Sequence, residues 1–371
     1  MLSQLYQERL SRIRKAVALE PVDKVPIAPC ANAFFARHKG LKLSEYVHNL
    51  ERNADVALET LTELGNVDAT QATVFGPYLL PTMWLSDIAV PGVELSDDDM
   101  WQVVEKRNVT EKDYDFILAH GFEAFYVPYV QKRLKHDYFE KCGPFFEYAP
   151  IAGQRFKDAS IPCICDFLMI TPFEFFCGGR SLEVFFLDDL LEKPDKIEKI
   201  FELTMEYTMA DYRKRFEIMK PIGVWVGGWR SASEMMSPKL WDRFVWPYMK
   251  AYADLALECG AIPIFHLDSN WNRSFEYFKQ MPKGKCILAL DGKSDIYLAK
   301  KVLGDHMCIL GDVKAELLAF GEPEDVYKKC TELIRDIGPT GFILASGCDI
   351  PSNAKYENVM AMVRAADDSR K

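Results

Sequence analysis

The chain has 371 residues, of which 49% are hydrophobic and 27% charged, and 45 basic against 55 acidic residues give a formal net charge of −10. This composition is typical of a globular protein and excludes disordered, collagen-like and coiled-coil chains. The acidic balance gives no electrostatic footprint for nucleic acid, and no segment approaches the ~20 apolar residues that a membrane helix needs. We therefore expect neither nucleic acid nor a membrane as a partner.

The first predicted element is an amphipathic helix over residues 1–20, which lacks the small-residue cleavage site of a secretory signal. Ten cysteines are scattered, mostly within apolar segments, which favours reduced thiols and a cytoplasmic location. Eight short runs, rich in branched or aromatic residues and bounded by turn residues, are typical of buried strands. The predicted strands are residues 25–29, 67–70, 161–169, 223–226, 261–265, 285–290, 307–310 and 341–345.

Segments with helical periodicity lie between these runs, and Ser237 followed by Pro238 marks the start of one helix. The predicted helices are residues 43–64, 189–219, 238–258, 295–303, 323–337 and 355–366. Repeated strand–helix units predict parallel strands joined by right-handed crossovers. About eight such units predict a single α/β domain over the whole chain, a (β/α)8 TIM-type barrel with an N-terminal helical extension. A doubly wound open sheet is the alternative.

Residues 75–160 interrupt this alternation with prolines, an acidic run at 97–99 and aromatic side chains that include Trp84 and Trp101. Within this insertion the segment 104–114 is predicted as a β-hairpin. Two interpretations stay open: the insertion covers a site on the barrel face, or it has no functional role.

Polar residues follow nearly every predicted strand, and the carboxyl ends of barrel strands are where active sites form. His266 and Asp268 are two residues apart, so both point to the same side of an extended strand. Cys348 follows the last strand and can supply a thiolate from across the barrel mouth. This set predicts a catalytic zinc site with an open fourth position. The alternatives are a metal-free acid/base pair, with Asp268 raising the imidazole pKa, and a purely structural role.

Other strand-end residues are candidates for contact with a substrate. The Gly227–Gly228 pair permits a close backbone approach and so a ligand cradle, and the flat rings of two tryptophans suit stacking on a ligand. The expected substrate contacts are Glu174, Trp229, Asn270 and Trp271.

Several segments in the second half of the chain resemble the uroporphyrinogen decarboxylase superfamily, and within it the corrinoid-dependent methyltransferase branch. The resemblance covers roughly residues 160–365 in order, and the opening at residues 23–26 is similar more loosely. The matching segments are Met236-Ser237-Pro238, Phe265-His266-Leu267-Asp268-Ser269-Asn270, Gly311-Asp312-Val313, Leu317-Leu318 with Gly321, and Gly347-Cys348 with Ile350-Pro351.

The resemblance implies a (β/α)8 barrel and, in the methyltransferase branch, zinc held by a His-x-Cys pair and a distant Cys. His266 and Cys348 match two of these positions, whereas Asp268 replaces the middle Cys. Carboxylate is a harder ligand than thiolate, so two roles for Asp268 stay open: a metal ligand or a substrate ligand.

The implied reaction moves a methyl group between a small methylated substrate and a corrinoid (cobalamin) carried by a partner protein. Zinc acts there as a Lewis acid, a methoxylated aromatic compound suits the aromatic strand ends, and Arg230 is expected to pair with a substrate carboxylate.

Two further hypotheses accompany this one. True decarboxylases of the superfamily carry an Arg-Gln-Ala-Gly-Arg motif near the N-terminus, and the corresponding residues 30–37 lack it. This disfavours porphyrinogen decarboxylation but leaves a metal-free lyase, in which the catalytic residue Asp268 or Asp312 holds a carboxylated substrate. The other hypothesis is a non-catalytic barrel within a methyltransferase complex.

Overall fold

Eight short strands carry the architecture in this computed structural model, which describes residues 2–132 and 138–370. The strands are β1 (Asp87–Ala89), β2 (Gln102–Val104), β3 (Leu168–Met169), β4 (Gly223–Gly228), β5 (Ile262–Leu267), β6 (Ile287–Leu290), β7 (Cys308–Val313) and β8 (Phe342–Ser346). Strands β3 to β8 form one parallel sheet in sequence order, so each strand pairs with its chain neighbour. This order is what repeated right-handed strand–helix units produce.

Two further extended segments close the sheet into a ring. Ile27 forms a parallel bridge with Leu344 of β8, and Thr70 forms one with Cys163, just before β3. Between these two segments, the backbone N–H of Asp68 donates to the carbonyl of Ile27 at 3.0 Å. The predicted strands at 25–29 and 67–70 therefore occupy their expected places, although each makes isolated bridges. The (β/α)8 barrel is confirmed, and the open sheet is excluded.

The barrel interior is filled by a separate cluster of small and branched side chains, among them Ile264, Ala289 and Leu310. The N-terminal helix Gln4–Val17 adds Ile13 and its apolar neighbours to this cluster, so the predicted helical extension closes the amino-terminal end of the barrel. Because the interior and the amino-terminal end are apolar, the polar candidate residues lie at the carboxyl ends of the strands.

Helices surround the ring and fill the insertion. The α-helices are Gln4–Val17, Ala33–His38, Leu43–His48, Leu50–Leu64, Leu80–Trp84, Glu111–His120, Phe122–Lys132, Tyr138–Asp158, Pro172–Arg180, Leu182–Val184, Pro194–Met219, Pro238–Phe244, Trp246–Glu258, Ile296–Leu303, Ala315–Phe320, Pro323–Asp336 and Tyr356–Asp368. The 3₁₀ segments are Pro77–Leu79, Ser233–Met235 and Asn272–Gln280, and Phe185–Leu191 forms a π-helical segment. In the described part of the chain, no helix combines the length and apolar character that a membrane span requires.

Some predicted helices are divided in the structure. The segment 238–258 breaks at Val245, because Pro247 has no N–H and its ring excludes a continuous helix. The segment 43–64 breaks at Asn49, whose side chain accepts the N–H of Arg52 and caps the second helix.

The insertion is mainly helical, and residues 133–137 of it lie outside the described part of the chain. The β-hairpin predicted at 104–114 is wrong: β2 instead pairs antiparallel with β1, and a helix begins at Glu111. The reason is the capping box formed by Thr110 and Asp113, which starts a helix inside the segment that was predicted as a hairpin.

A buried ion pair joins the insertion to the barrel. Arg180 donates through Nε and Nη2 to the two carboxylate oxygens of Asp189, at 2.7 and 2.8 Å. Its Nη1 donates to the carbonyl of Val109 in the insertion at 3.0 Å, and the hydroxyl of Tyr114 donates to Asp189 at 3.0 Å. The insertion is thus held to the barrel by satisfied polar groups as well as by apolar packing.

Candidate metal centre

Three predicted ligands meet at the carboxyl end of the barrel. The Nε2 atom of His266 lies 3.5 Å from Oδ1 of Asp268 and 3.7 Å from Sγ of Cys348. In the described residues this is the group of His, Cys, Asp and Glu side chains whose ligand atoms all lie within 4.8 Å of one another. A single imidazole nitrogen therefore faces both a carboxylate and a thiol.

The barrel strands explain this convergence. His266 alternates along β5 with Ile264, which belongs to the interior cluster, so the imidazole also points inward. Cys348 follows β8 on the other side of the mouth, and the hydroxyl of Ser346 donates to its carbonyl at 2.6 Å. Cys348 is exposed as a residue at the rim, yet its sulfur is directed inward toward the imidazole.

The separations fit a zinc ion. Zinc–ligand bonds of about 2.0–2.3 Å in tetrahedral geometry place the ligand atoms roughly 3.3–3.6 Å apart. The distances of 3.5 and 3.7 Å around Nε2 are close to that range. Asp268 Oδ1 is buried without a hydrogen-bond partner among the described residues, which is the state expected of an oxygen that awaits a cation.

Burial controls the protonation of the three groups. It lowers the pKa of His266 to about 4, so the imidazole is neutral at physiological pH. Burial, followed by the carboxylates of Asp291 and Glu174, raises the pKa of Asp268 to about 7. Burial and the neighbouring Asp268 carboxylate also raise the pKa of the Cys348 thiol. The site has an excess of acidic groups and a neutral imidazole, which is the environment that favours a bound cation.

This electrostatic pattern corrects one sequence-based expectation. In the metal-free alternative, Asp268 was expected to raise the imidazole pKa, as in acid/base pairs. Desolvation dominates instead and lowers the pKa of His266. A protonated imidazole paired with a carboxylate is therefore not the resting state of this centre.

An indole ring covers one face of the imidazole. The rings of Trp225 and His266 are stacked with their centres 3.9 Å apart and their planes 3° from parallel. Trp225 projects from β4, two residues before Gly227, which pairs with His266 in the register of β4 and β5. Sequence analysis missed Trp225, although its inward-facing strand position beside the predicted histidine was an available signal.

The backbone after Asp268 is held by several hydrogen bonds. The indole Nε1–H of Trp271 donates to the carbonyl of Asp268 at 2.6 Å, and the N–H of Ser269 donates to Asp291 at 2.8 Å. Trp271 is fully buried. The expectation that its ring stacks on a ligand is corrected: Trp271 fixes the backbone that carries Asp268.

The two glycines of β4 make room for side chains of the protein. A Cβ atom at Gly227 would lie 1.9 Å from the ring of Trp229, and one at Gly228 would lie 2.7 Å from the ring of Trp271. The expected ligand cradle is therefore filled by these rings. Trp229 is only partly buried, and Trp84 of the insertion packs edge-on against it, with ring centres 5.6 Å apart.

Glu174 is also fully buried, which corrects its expected contact with a substrate. Its Oε1 accepts the backbone N–H groups of Trp229, Arg230 and Ser231 at 3.1, 3.0 and 3.2 Å, and the Ser231 hydroxyl at 2.9 Å. Glu174 thus holds the loop after β4 and leaves no free oxygen lone pair on Oε1 for a substrate. Sequence spacing places this residue at a strand end but does not show which groups surround it.

The remaining candidates lie around the mouth. Arg230 has a side chain 24% exposed, with Nη2 3.9 Å from Glu105 and its guanidinium carbon 6.0 Å from the Trp84 ring centre. Asn270 is half-buried, and its N–H donates to Glu234 at 2.8 Å.

Asp312 is not part of the group formed by His266, Asp268 and Cys348. It is 5% exposed, and burial raises its pKa to about 7 against the opposing effect of Lys329 and Lys314. Its carboxylate is not among the three groups that converge within 4.8 Å in the described residues.

Comparisons with known proteins agree with this architecture. A family model described as uroporphyrinogen decarboxylase (URO-D) matches residues 177–369, just over half of the chain. A protein named uroporphyrinogen decarboxylase from Trichodesmium erythraeum (strain IMS101) is 25% identical over 171 residues, which span 46% of each chain. The match therefore covers less than half the length of that curated relative.

A solved structure has the same fold over nearly the whole chain. A methyltransferase from Methanosarcina mazei superposes with a TM-score of 0.73 and 18% identity, covering 97% of this chain and 98% of that one. At this level of identity the likeness establishes the fold, including the part of the barrel that precedes residue 177.

Proposed function

The chain belongs to the uroporphyrinogen decarboxylase (URO-D) family, and from that premise we propose that it is a zinc-dependent methyltransferase. It moves a methyl group between a small methylated substrate and a corrinoid (cobalamin) carried by a partner protein. The observation that carries this proposal is the convergence of His266, Asp268 and Cys348 within 4.8 Å at the barrel mouth. The fold shared with a methyltransferase supports it.

His266, Asp268 and Cys348, called the triad below, are the proposed ligands, and they would leave a fourth coordination position for the substrate. Zinc held by these three side chains would supply a Lewis acid for the oxygen or sulfur atom that gives up or accepts the methyl group. Trp225 shields one face of the imidazole and holds the ring plane. Asp268 and Cys348 must each lose a proton to act as ligands, so both contribute negative charge that balances the divalent ion.

A methoxylated aromatic carboxylate fits the groups around the mouth. The ring of Trp229 is partly exposed and lies against Gly227, which pairs with His266 in the sheet, and Arg230 presents a guanidinium that is 24% exposed. We propose that Trp229 stacks on the substrate ring, that Arg230 pairs with its carboxylate, and that Asn270 contributes a polar contact. Replacing Arg230 with Gln should then raise KM for carboxylated substrates and leave KM for uncharged ones unchanged.

The partner approaches from the carboxyl ends of the strands. The N-terminal helix closes the opposite end of the barrel, and Trp84 of the insertion packs on Trp229 after β4, so we expect the partner to dock on the side of the insertion. We place the protein in the cytoplasm, which its ten free cysteines support, because oxidising compartments favour disulfides.

Metal analysis tests the proposal directly. The unaltered chain should bind about one zinc ion, and His266→Ala or Cys348→Ala should weaken the affinity by tenfold or more. Cys259→Ser, a partly exposed thiol elsewhere, and His306→Gln, which bonds the Met281 carbonyl, are matched controls that should bind zinc normally. Zinc affinity that is unaffected by the triad variants would contradict the proposal.

The reaction itself is tested with cob(I)alamin as the methyl acceptor and a panel of methylated compounds. Methylcobalamin should form with methoxylated aromatic acids, and chelation of zinc or loss of Cys348 should abolish it. Formation that survives chelation would contradict a zinc-dependent step.

The second candidate is a metal-free lyase of decarboxylase type. Two observations favour it: the curated relative is named a decarboxylase, and burial raises the pKa values of Asp268 and Asp312 to about 7, where a carboxyl can donate a proton. This candidate requires carbon dioxide release that persists after chelation and is lost in Asp268→Asn.

A further inference from the structure

Asp291 contacts the backbone beside two of the proposed ligands, Asp268 and Cys348. It directly follows β6, and both of its carboxylate oxygens accept backbone N–H groups at 2.8 Å: Oδ2 from Ser269 and Oδ1 from Lys293. Its backbone carbonyl packs against Gly347, where a Cβ atom would lie 2.4 Å from that oxygen. One residue thus touches the backbone on the carboxyl side of Asp268 and on the amino side of Cys348.

The backbone at Ser269 needs this support. Ser269 has a φ of +70°, in the left-handed region that residues other than glycine rarely adopt. The peptide that joins Asp268 to Ser269 is held at both ends, because Trp271 donates to its carbonyl and its N–H donates to Asp291. Ser294 completes the support by donating to the Ser269 carbonyl at 3.0 Å.

We propose that Asp291 is a positioning residue for the metal centre. By holding Ser269 in its left-handed conformation, it directs the Asp268 carboxylate toward Nε2 of His266 and sets its separation from Cys348. The role rests on backbone hydrogen bonds, so it does not require Asp291 to contact the ion. This inference rests on the proposed function, since it concerns the same metal centre.

The test uses the full chain and metal-binding readouts. Asp291→Ala should weaken zinc affinity at least tenfold and change the visible absorption spectrum of the cobalt(II)-substituted protein, because Asp268 leaves its ligand geometry. Asp291→Asn keeps a carbonyl acceptor for the Ser269 N–H and turns its amide toward the exposed Lys293 N–H, which water can accept, so zinc affinity should stay within a few-fold of that of the unaltered chain. A loss in Asp291→Asn as large as in Asp291→Ala would overturn the inference, because charge would then be the controlling property.

A second substitution separates positioning from general damage. Glycine adopts a positive φ without a side-chain penalty, so Ser269→Gly in the Asp291→Ala background should restore most of the zinc affinity and the cobalt spectrum. Failure of that rescue would overturn the inference. The control is Asp295→Ala. Asp295 lies four residues after Asp291 and caps the helix Ile296–Leu303, so this substitution should lower thermal stability and leave zinc affinity unchanged.

The outcomes also separate this inference from the proposal on which it rests. Absence of zinc binding by the unaltered chain would overturn both. Zinc binding by the unaltered chain with an unchanged affinity and cobalt spectrum in Asp291→Ala would overturn this inference alone. If Asp291→Ala does not fold, the Ser269→Gly, Asp291→Ala double variant decides on its own, since zinc affinity and a cobalt spectrum close to those of the unaltered chain support positioning and a tenfold loss of affinity overturns it.

Discussion

At the scale of single residues, desolvation decides the chemistry of the barrel mouth. His266 is 3% exposed, and burial lowers the pKa of its imidazole to about 4 and raises the pKa of Asp268 to about 7. Neither residue is therefore suited to form an ion pair with the other. A divalent cation bound as we propose would resolve this conflict, because it would replace the proton on Asp268 and accept the lone pair of Nε2.

Proton competition predicts the pH dependence of zinc affinity. Below pH 7 zinc must displace protons from Asp268, whose pKa is about 7, and from Cys348, whose thiol pKa is raised. The logarithm of the binding constant should rise by about 2 per pH unit below pH 7 and by about 1 above it. In Asp268→Asn the slope should be about 1 throughout, as measured by competition with a chromogenic chelator. Equal slopes in the two proteins would show that Asp268 is not a ligand.

At the scale of elements, Glu174 shows how a helix holds a loop. This residue lies in the helix Pro172–Arg180, and its carboxylate gathers three successive N–H groups after β4. Burial raises its pKa, yet these donors favour the ionised form, because each N–H requires an acceptor. The loop that carries Trp229 and Arg230 therefore depends on a charge supplied by a neighbouring element.

Glu174→Gln should destabilise the protein. The amide group brings N–H donors into a position surrounded by other donors, so at least one buried polar group loses its partner. We expect a loss of about 2 kcal/mol in the free energy of unfolding, measured by chemical denaturation. Glu183→Gln is the control, because Glu183 is exposed and pairs with Arg107 at the surface. A Glu174→Gln variant as stable as this control would contradict the proposed role of the carboxylate.

Local sequence patterns were sufficient to predict the helices and strands of the barrel. They were insufficient where contact with another element determines the local structure. The cap at Ser237 and the proline after it gave the start of one helix correctly, because capping is a local interaction. The segments at 25–29 and 67–70 were recognised as strands, but the isolated bridges that they make depend on their neighbours across the ring. The helix at Glu111 was mistaken for part of a hairpin although Thr110 and Asp113 have the spacing of a capping box, a local signal that the prediction did not use.

The same distinction applies to the candidate site. His266 and Cys348 are 82 positions apart, and their meeting was predictable because all strands of a barrel end at one rim. Trp271 and Glu174 also stand at strand ends, yet both are fully buried, and strand spacing carries no information on that. Whether a strand-end side chain faces a ligand or a neighbouring loop is set by tertiary packing.

At the scale of the whole molecule, the insertion and the barrel form one body of packed side chains. A continuous apolar cluster extends from the helices of the insertion to those around the barrel, and the Arg180–Asp189 pair is buried between them. We therefore expect the predicted single domain to unfold in one cooperative transition.

Denaturation tests this expectation. Tryptophan fluorescence and far-ultraviolet circular dichroism should give coincident transitions in urea, and Asp189→Asn should lower the free energy of unfolding by about 3 kcal/mol, because it leaves Arg180 without its buried counter-charge. Asp188→Asn, at the exposed neighbouring position, is the control and should change little. Two separate transitions would show that the insertion folds as an independent unit.

The helix Gln4–Val17 closes the amino-terminal end of the barrel, and this limits how a small molecule can reach the candidate site. With Ile13 and its neighbours packed among the interior side chains, the amino-terminal end of the barrel is closed in the described part of the chain, and the proposed metal ligands lie at the other end. A small molecule bound at the carboxyl ends of the strands therefore has to enter and leave on the same side of the barrel. If the proposed partner protein docks over that end, it covers the route of the substrate, so we expect substrate exchange and docking to exclude each other and the kinetics to depend on the order of addition.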